Sequence, residues 1–251
     1  MWTDDALANG PHTDEDKPTK VRRMFAAIAG SYDLNNRVHS FGRDQAWRRA
    51  AVRAAGVRGG DAVRDVACGT GDLTQAFART GASRVVGLDF TQEMLDLAGR
   101  KRGSLGEAAA SKIEYINGDA TGLPFGDDSF DVVSIAFGIR NVGEPDRAFA
   151  EFARVLRPGG RLVVLEFDTP RNPVVRAGNR FYSGWLMPRT ASLIARDRSG
   201  AYRYLPKSVE TFISRQQMLD GMAGAGFCEV SARSLTLGVC ALYRGARSAG
   251  G

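Results

Sequence analysis

Apolar positions fall into three regimes along the chain. Between Thr19 and Ala55 they recur at helical spacing, with Met24, Phe25 and Ile28 on one stripe and Ala46, Trp47, Ala50 and Val52 on another. A break in this N-terminal helical arm is expected near Gly30–Asn36. After a turn at Val57–Asp61 the period changes, and short apolar runs alternate with helical stretches. Ala62–Ala67, Arg84–Asp89, Lys112–Asn117, Phe130–Phe137 and Arg161–Phe167 read as strands. Leu73–Arg79, Thr91–Arg102 and Pro145–Leu156 read as helices, and Pro158-Gly159-Gly160 stops the last of them. This alternation predicts an α/β fold with a Rossmann-like, mostly parallel sheet and helices on both faces.

The last third breaks the alternation. Arg171–Tyr204 is rich in aromatic and basic residues and is expected to be a helical or irregular insertion; Val209–Ala225 reads as a helix closed by Gly226. Phe227–Arg233 and Thr236–Tyr243 are two short strands separated by Ser234-Leu235, which predicts a C-terminal antiparallel pair. Residues 1–18 and 246–251 are polar without periodicity and are expected to be disordered tails. That leaves a single domain over 19–245.

Composition narrows the chemistry. Cys68, Cys228 and Cys240 form no CxxC pair, and His12 and His39, the only histidines, lie far apart. Disulfide frameworks, thiolate zinc clusters and metal catalysis are therefore not expected. The net charge of +6 is uneven: Lys20–Arg64 carries +7 and Arg171–Arg203 carries +6, while the remainder is negative. An anionic membrane surface would suit that pattern, as would a solvated arginine-rich face. No run of 18 apolar residues and no signal peptide is present. A cytoplasmic location is expected, with peripheral contact at the inner face of the membrane.

The strongest local signal is Asp65-Val66-Ala67-Cys68-Gly69-Thr70-Gly71-Asp72, a strand entering a glycine turn and then a helix. Gly69 and Gly71 let the backbone turn tightly and pass close to a ligand. A dinucleotide fingerprint would place a third glycine at 74, where Thr74 stands, and Asp65 and Asp72 would repel a pyrophosphate. A sulfonium would not be repelled, so the pattern points to S-adenosylmethionine. Asp89 ends the second strand 18 residues after Gly71, where its carboxylate can accept both ribose hydroxyls; the alternative is a helix N-cap. Asp119 and Ala120 follow the third strand, where they could read the adenine ring.

These motifs, with Tyr32-Asp33-Leu34-Asn35-Asn36, Leu123-Pro124-Phe125, Phe137-Gly138-Ile139-Arg140-Asn141-Val142 and Arg154-Val155-Leu156-Arg157-Pro158-Gly159-Gly160, resemble the menaquinone and ubiquinone biosynthesis C-methyltransferases. The resemblance runs from about Val21 to Gly245. It implies methyl transfer from S-adenosylmethionine to a ring carbon of a polyprenylated quinol, most simply demethylmenaquinol. It also carries over Thr70, Asp89, Asp119 and Ala120 as cofactor contacts. Two positions depart from the family: Ala136 replaces its usual serine, and Tyr243 its histidine.

For the chemistry, Arg140 is the candidate for stabilising the phenolate, Asn141 for holding the second ring oxygen, and Tyr32 and Asp33 for accepting a proton. Alternatively, Arg140 pairs with a carboxylate to fix its loop. A methyltransferase of another small metabolite and a cofactor-binding scaffold of a quinone-synthesis complex are the competing functions. No nucleic-acid partner is expected, and a homodimer is left open.

Overall fold

A computed structural model describes Trp2, Leu7, residues 10–14, 16–195 and 200–248. Helices α1 (Lys17–His39) and α2 (Arg43–Ala55) precede the sheet. Strand β1 (Ala62–Val66), α3 (Asp72–Ala78), β2 (Arg84–Asp89), α4 (Gln92–Arg102), the one-turn α5 (Glu107–Ala110) and β3 (Ile113–Asn117) build one half. Strand β4 (Phe130–Ala136), α6 (Pro145–Val155) and β5 (Leu156–Phe167) build the other. Then come α7 (Pro173–Phe181), a π-helical turn (Tyr182–Leu186), α8 (Met187–Ala195), α9 (Ala201–Glu210), α10 (Arg215–Gly224), β6 (Phe227–Leu235) and β7 (Cys240–Arg247).

The seven strands run in the order β3-β2-β1-β4-β5-β7-β6. The first five are parallel, and β7 inserts antiparallel between β5 and β6, with Val164 opposite Tyr243. The chain order reverses between β1 and β4, so the C-terminal ends of these strands open a crevice. Burial sets the helix faces. Pro145 starts α6 at a position that needs no N–H, and Ala148, Phe149, Phe152 and Val155 are fully buried on one stripe. Each such phenylalanine contributes roughly 1.5–3 kcal/mol by leaving water.

Several expectations are corrected. The first helix runs unbroken through Gly30 to His39, because Val21, Met24 and Ile28 bury one face of it and outweigh the roughly 1 kcal/mol that a helical glycine costs. The break falls at Phe41 and Gly42, both with positive φ. Several residues expected in a disordered N-terminal tail are packed, although Thr13, Asp16 and Pro18 are exposed. Trp2 is buried and stacks on Tyr204 at 4.6 Å, His12 Nε2 lies 2.8 Å from the Ser208 carbonyl, and Lys17 donates to the Val142 carbonyl at 2.8 Å. A few anchors suffice in a segment whose composition is otherwise polar. At the other end β7 extends to Arg247, paired with Phe227; residues 249–251 lie outside the described residues. The helix expected over 209–225 is two helices, because Ser214 and Gln217 form a capping box that starts α10 afresh.

Candidate active site

The glycine turn after β1 is the floor of a narrow cleft. Ala67, Gly69 and Gly71 have φ of 50°, 54° and 81°, a left-handed course that lifts the chain over the strand ends. At Gly71 a Cβ would collide with the Tyr115 hydroxyl, so the turn admits glycine alone. Asp65 lies beneath the turn rather than in the cleft, accepting from Thr74 Oγ1 at 2.6 Å and Ser134 Oγ at 2.8 Å. Burial pushes its carboxyl up to about 6, against both hydrogen bonds. Asp72 lies apart too. Burial works to raise it, but Lys101 Nζ at 2.5 Å and Arg37 Nη2 at 2.7 Å prevail and hold it at about 2. The two carboxylates expected to bracket a sulfonium are thus occupied by other partners.

Asp89, Asp119 and Ala120 do line the cleft, with Gly69, Phe90, Met94 and Gly118. Asp89 Oδ2 accepts from the Gly69 N–H at 2.8 Å and Oδ1 from the Thr91 N–H at 2.9 Å. It therefore fixes the glycine turn and starts α4 at once. Burial raises its pKa. Asp119 Oδ1 accepts from the Thr121 N–H and hydroxyl, which sets the loop after β3. Thr70 turns away and donates to Asp33 at 2.6 Å. Ala136 lines the cleft with only a methyl group. Tyr243 is buried in the core and lines neither this cleft nor the neighbouring cavity, so that departure lies away from both.

A larger cavity of about 660 Å³ adjoins the cleft. Phe25, Tyr32 and Phe137 line both, and Met24, Ile28, Trp47, Phe167 and Met187 give the cavity apolar walls. Phe137 is held at φ 58°, a strained conformation of the kind that gathers at functional sites. Arg180, Tyr182, Ser183 and Met187, together with α9, close the cavity on its remaining side.

The four residues expected to carry the chemistry divide. Arg140 lines the cavity, but its Nη1 lies 2.6 Å from Glu166 Oε1 and also donates to the Phe137 carbonyl at 2.8 Å. Both partners are almost fully buried, so the carboxylate alternative describes what Arg140 does here. Asn141 accepts from the Tyr204 hydroxyl at 2.9 Å and donates to the Phe137 carbonyl at 3.3 Å. Asp33 is tied to Thr70 and to Lys101 at 2.6 Å and lines neither space, which corrects the expectation that it accepts a proton. Tyr32 does sit at the junction. Burial pushes its phenol up, against nearby Arg48 and Arg140, so it remains a donor rather than a base.

Sequence reasoning missed Arg48. It is buried on α2, pairs through Nη1 with Asp44 at 3.1 Å, and stacks 5.5 Å from the Phe137 ring on the cavity wall. The only signal was its place one residue after Trp47 on the arm.

This strand order, with β7 turned antiparallel, a glycine turn after β1 and an acid closing β2, defines a class I, S-adenosylmethionine-dependent methyltransferase. Within that class the chain belongs to the ubiE/COQ5 methyltransferase family, whose model matches residues 13–247. It is 42% identical over 234 residues to a demethylmenaquinone methyltransferase of Clavibacter sepedonicus, covering 93% of each chain. To a ubiquinone/menaquinone biosynthesis C-methyltransferase of Hahella chejuensis it is 43% identical over 235 residues, again with 93% of each covered. Its fold overlays a methyltransferase solved with the Haloferax volcanii Trm112 methyltransferase activator, at a TM-score of 0.64 and 19% identity, covering 89% of this chain and 97% of that one.

Proposed function

We propose that the chain transfers a methyl group from S-adenosylmethionine to a ring carbon of demethylmenaquinol. The observation that carries this reading is the junction of two spaces at Phe25, Tyr32 and Phe137: a cleft that carries Asp89 and Asp119 at the strand ends, suited to a nucleoside, and a larger apolar-walled cavity suited to a prenylated ring. The residues of the cleft fit the methyl donor. Asp89 presents its carboxylate to the ribose, the glycine turn brings backbone close, and Asp119 and Ala120 line the cleft where the adenine ring would be read. When bound, the donor supplies an electrophilic methyl group.

The acceptor in this reading is the reduced quinol. A ring carbon becomes nucleophilic when an adjacent oxygen donates density, and a quinone carbonyl withdraws it. Tyr32 donates a hydrogen bond to that oxygen, and Arg48 supplies the guanidinium charge on the cavity wall that favours its deprotonated form, the phenol proton leaving to solvent. As the carbon–methyl bond forms the sulfur–methyl bond breaks, and the ring proton then lost restores the aromatic ring. Arg140, neutralised by Glu166, positions Phe137 and the loop that carries it. The protein's main contribution is to hold the ring against the methyl group and exclude water. The 171–204 segment serves as the substrate lid, with the quinol drawn from the membrane.

The test is methyl transfer to a short-chain demethylmenaquinone, chemically reduced or oxidised, with an otherwise identical small phenol as control. Transfer to the reduced form alone is expected. Equal turnover of the oxidised form, or of the unprenylated phenol, would overturn the assignment.

A further inference from the structure

The outer face of the lid carries a surface that methyl transfer does not use. Val174, Phe181 and Trp185 stand on one stripe and are 78%, 61% and 50% exposed. Phe181 and Trp185 stack at 5.3 Å, and the Arg189 guanidinium lies 4.6 Å over the Trp185 ring. A second stripe, Leu34, Val38 and Phe41 on and just beyond α1, is also exposed. The two are joined where Phe41 meets Tyr182 at 5.7 Å and where the Tyr182 hydroxyl donates to the His39 carbonyl at 3.0 Å. Exposed apolar surface of this extent marks an interaction site rather than chance.

Charge identifies the partner. Residues 171–191 contain four arginines, Arg171, Arg176, Arg180 and Arg189, and no acid; beside the second stripe Arg37 is taken by Asp44 and Asp72, and Arg43 adds one more charge. Among the described residues the one carboxylate recorded against these lid arginines is Glu210, 3.8 Å from Arg180. Exposed aromatic rings with an arginine laid over them, on a helical segment that carries no acid, have the composition of a helix lying in a bilayer interface. We infer that Phe41, Phe181 and Trp185, with Arg189 laid over the Trp185 ring, dock this face on an anionic phospholipid bilayer, while Arg176 and Arg180 stand at the rim of the cavity. The same lid thereby turns its outer face to the lipid and its inner face, through Tyr182 and Met187, to the 660 Å³ cavity. An apolar substrate can then pass from the acyl region to the cavity without crossing water.

Tryptophan fluorescence reads this surface selectively, because Trp2 and Trp47 are buried and Trp185 is half-exposed. The protein, without substrate or cofactor, is titrated with vesicles of phosphatidylglycerol and phosphatidylcholine. A blue shift and quenching by brominated acyl chains are expected with the anionic vesicles at low salt and not with phosphatidylcholine alone. Trp185→Phe should abolish the shift yet leave sedimentation with vesicles nearly intact. Phe181→Ser with Arg189→Glu should weaken sedimentation by tenfold or more, each arginine lost accounting for about fivefold. No blue shift with anionic vesicles, or undiminished binding by the double variant, would overturn the inference. So would concentration-dependent self-association that buries Trp185 without lipid. Since no methyl donor or acceptor is present, failure here leaves the proposed reaction untouched, and failure of the reaction leaves this surface standing.

Discussion

Truncating Arg140 separates a structural role from a chemical one. In Arg140→Ala the Glu166 carboxylate, 2% exposed, loses the one ion-pair partner it has among the described residues while still accepting from the Phe167 N–H at 2.8 Å. Breaking one side of a buried pair costs about 3–5 kcal/mol. In a domain of this size that corresponds to a fall in melting temperature of roughly 6–20 °C. Replacing both charges, as Arg140→Met with Glu166→Gln, removes the orphaned charge and keeps an acceptor for the Phe167 N–H. Most of the loss should therefore return. Urea denaturation followed by circular dichroism gives the stabilities, and methyl transfer on the folded variants gives the activities. If Arg140 acts by holding Phe137 and its loop, the double variant regains activity along with stability. A loss under about 1 kcal/mol in Arg140→Ala would refute the reasoning about the pair. A double variant that is stable but inactive would return Arg140 to the reacting atoms.

Further outcomes follow from individual sites. Arg64, fully buried with no hydrogen-bond partner among the described residues and with the Phe125 and Phe130 rings against it, should be replaceable by Leu with a gain of at least about 1 kcal/mol, read as a raised melting temperature. Asp65 has a folded pKa of about 6 against 3.8 unfolded, so the folded state holds the extra proton between these values and its contribution to stability declines as pH rises from about 4 to 6. Asp72, at about 2, acts oppositely: its contribution is present above about 4 and lost as pH falls toward 2. Asp65→Asn should flatten the upper slope in denaturation at stepped pH, whereas an unchanged slope would show that Asp65 is not its source. Asp89→Asn should weaken S-adenosylhomocysteine binding by tenfold or more in calorimetric titration, and unchanged affinity would remove the ribose role.

The sheet was legible because its strands are apolar runs between glycine turns, and the cleft because Gly69, Gly71, Asp89 and Asp119 fall at strand ends that topology brings together. What escaped was decided by partners far away in the chain. Nothing in the local sequence around Asp33 shows that Lys101 and Thr70 will claim it, nor that Glu166 waits for Arg140. Asp65 and Asp72 flank the turn in sequence, yet backbone geometry points them to Ser134 and Lys101. Arg48 was invisible for the same reason, as one arginine among several on a helix whose cavity-facing side only packing defines. Trp2 was lost to a composition argument that averages over a segment, whereas burial acts on single residues.

The most direct measurement is the reduction dependence of transfer in the Arg48→Met variant beside the unaltered protein. Labelled S-adenosylmethionine is supplied with demethylmenaquinol over a range of pH. The unaltered protein should methylate only the reduced acceptor. The variant should retain cofactor affinity while turnover falls by at least tenfold and its pH profile shifts upward, as expected when a cation that favours the phenolate is removed. Full turnover with an unshifted profile, or transfer to the oxidised acceptor, would contradict a phenolate held at the junction of cleft and cavity.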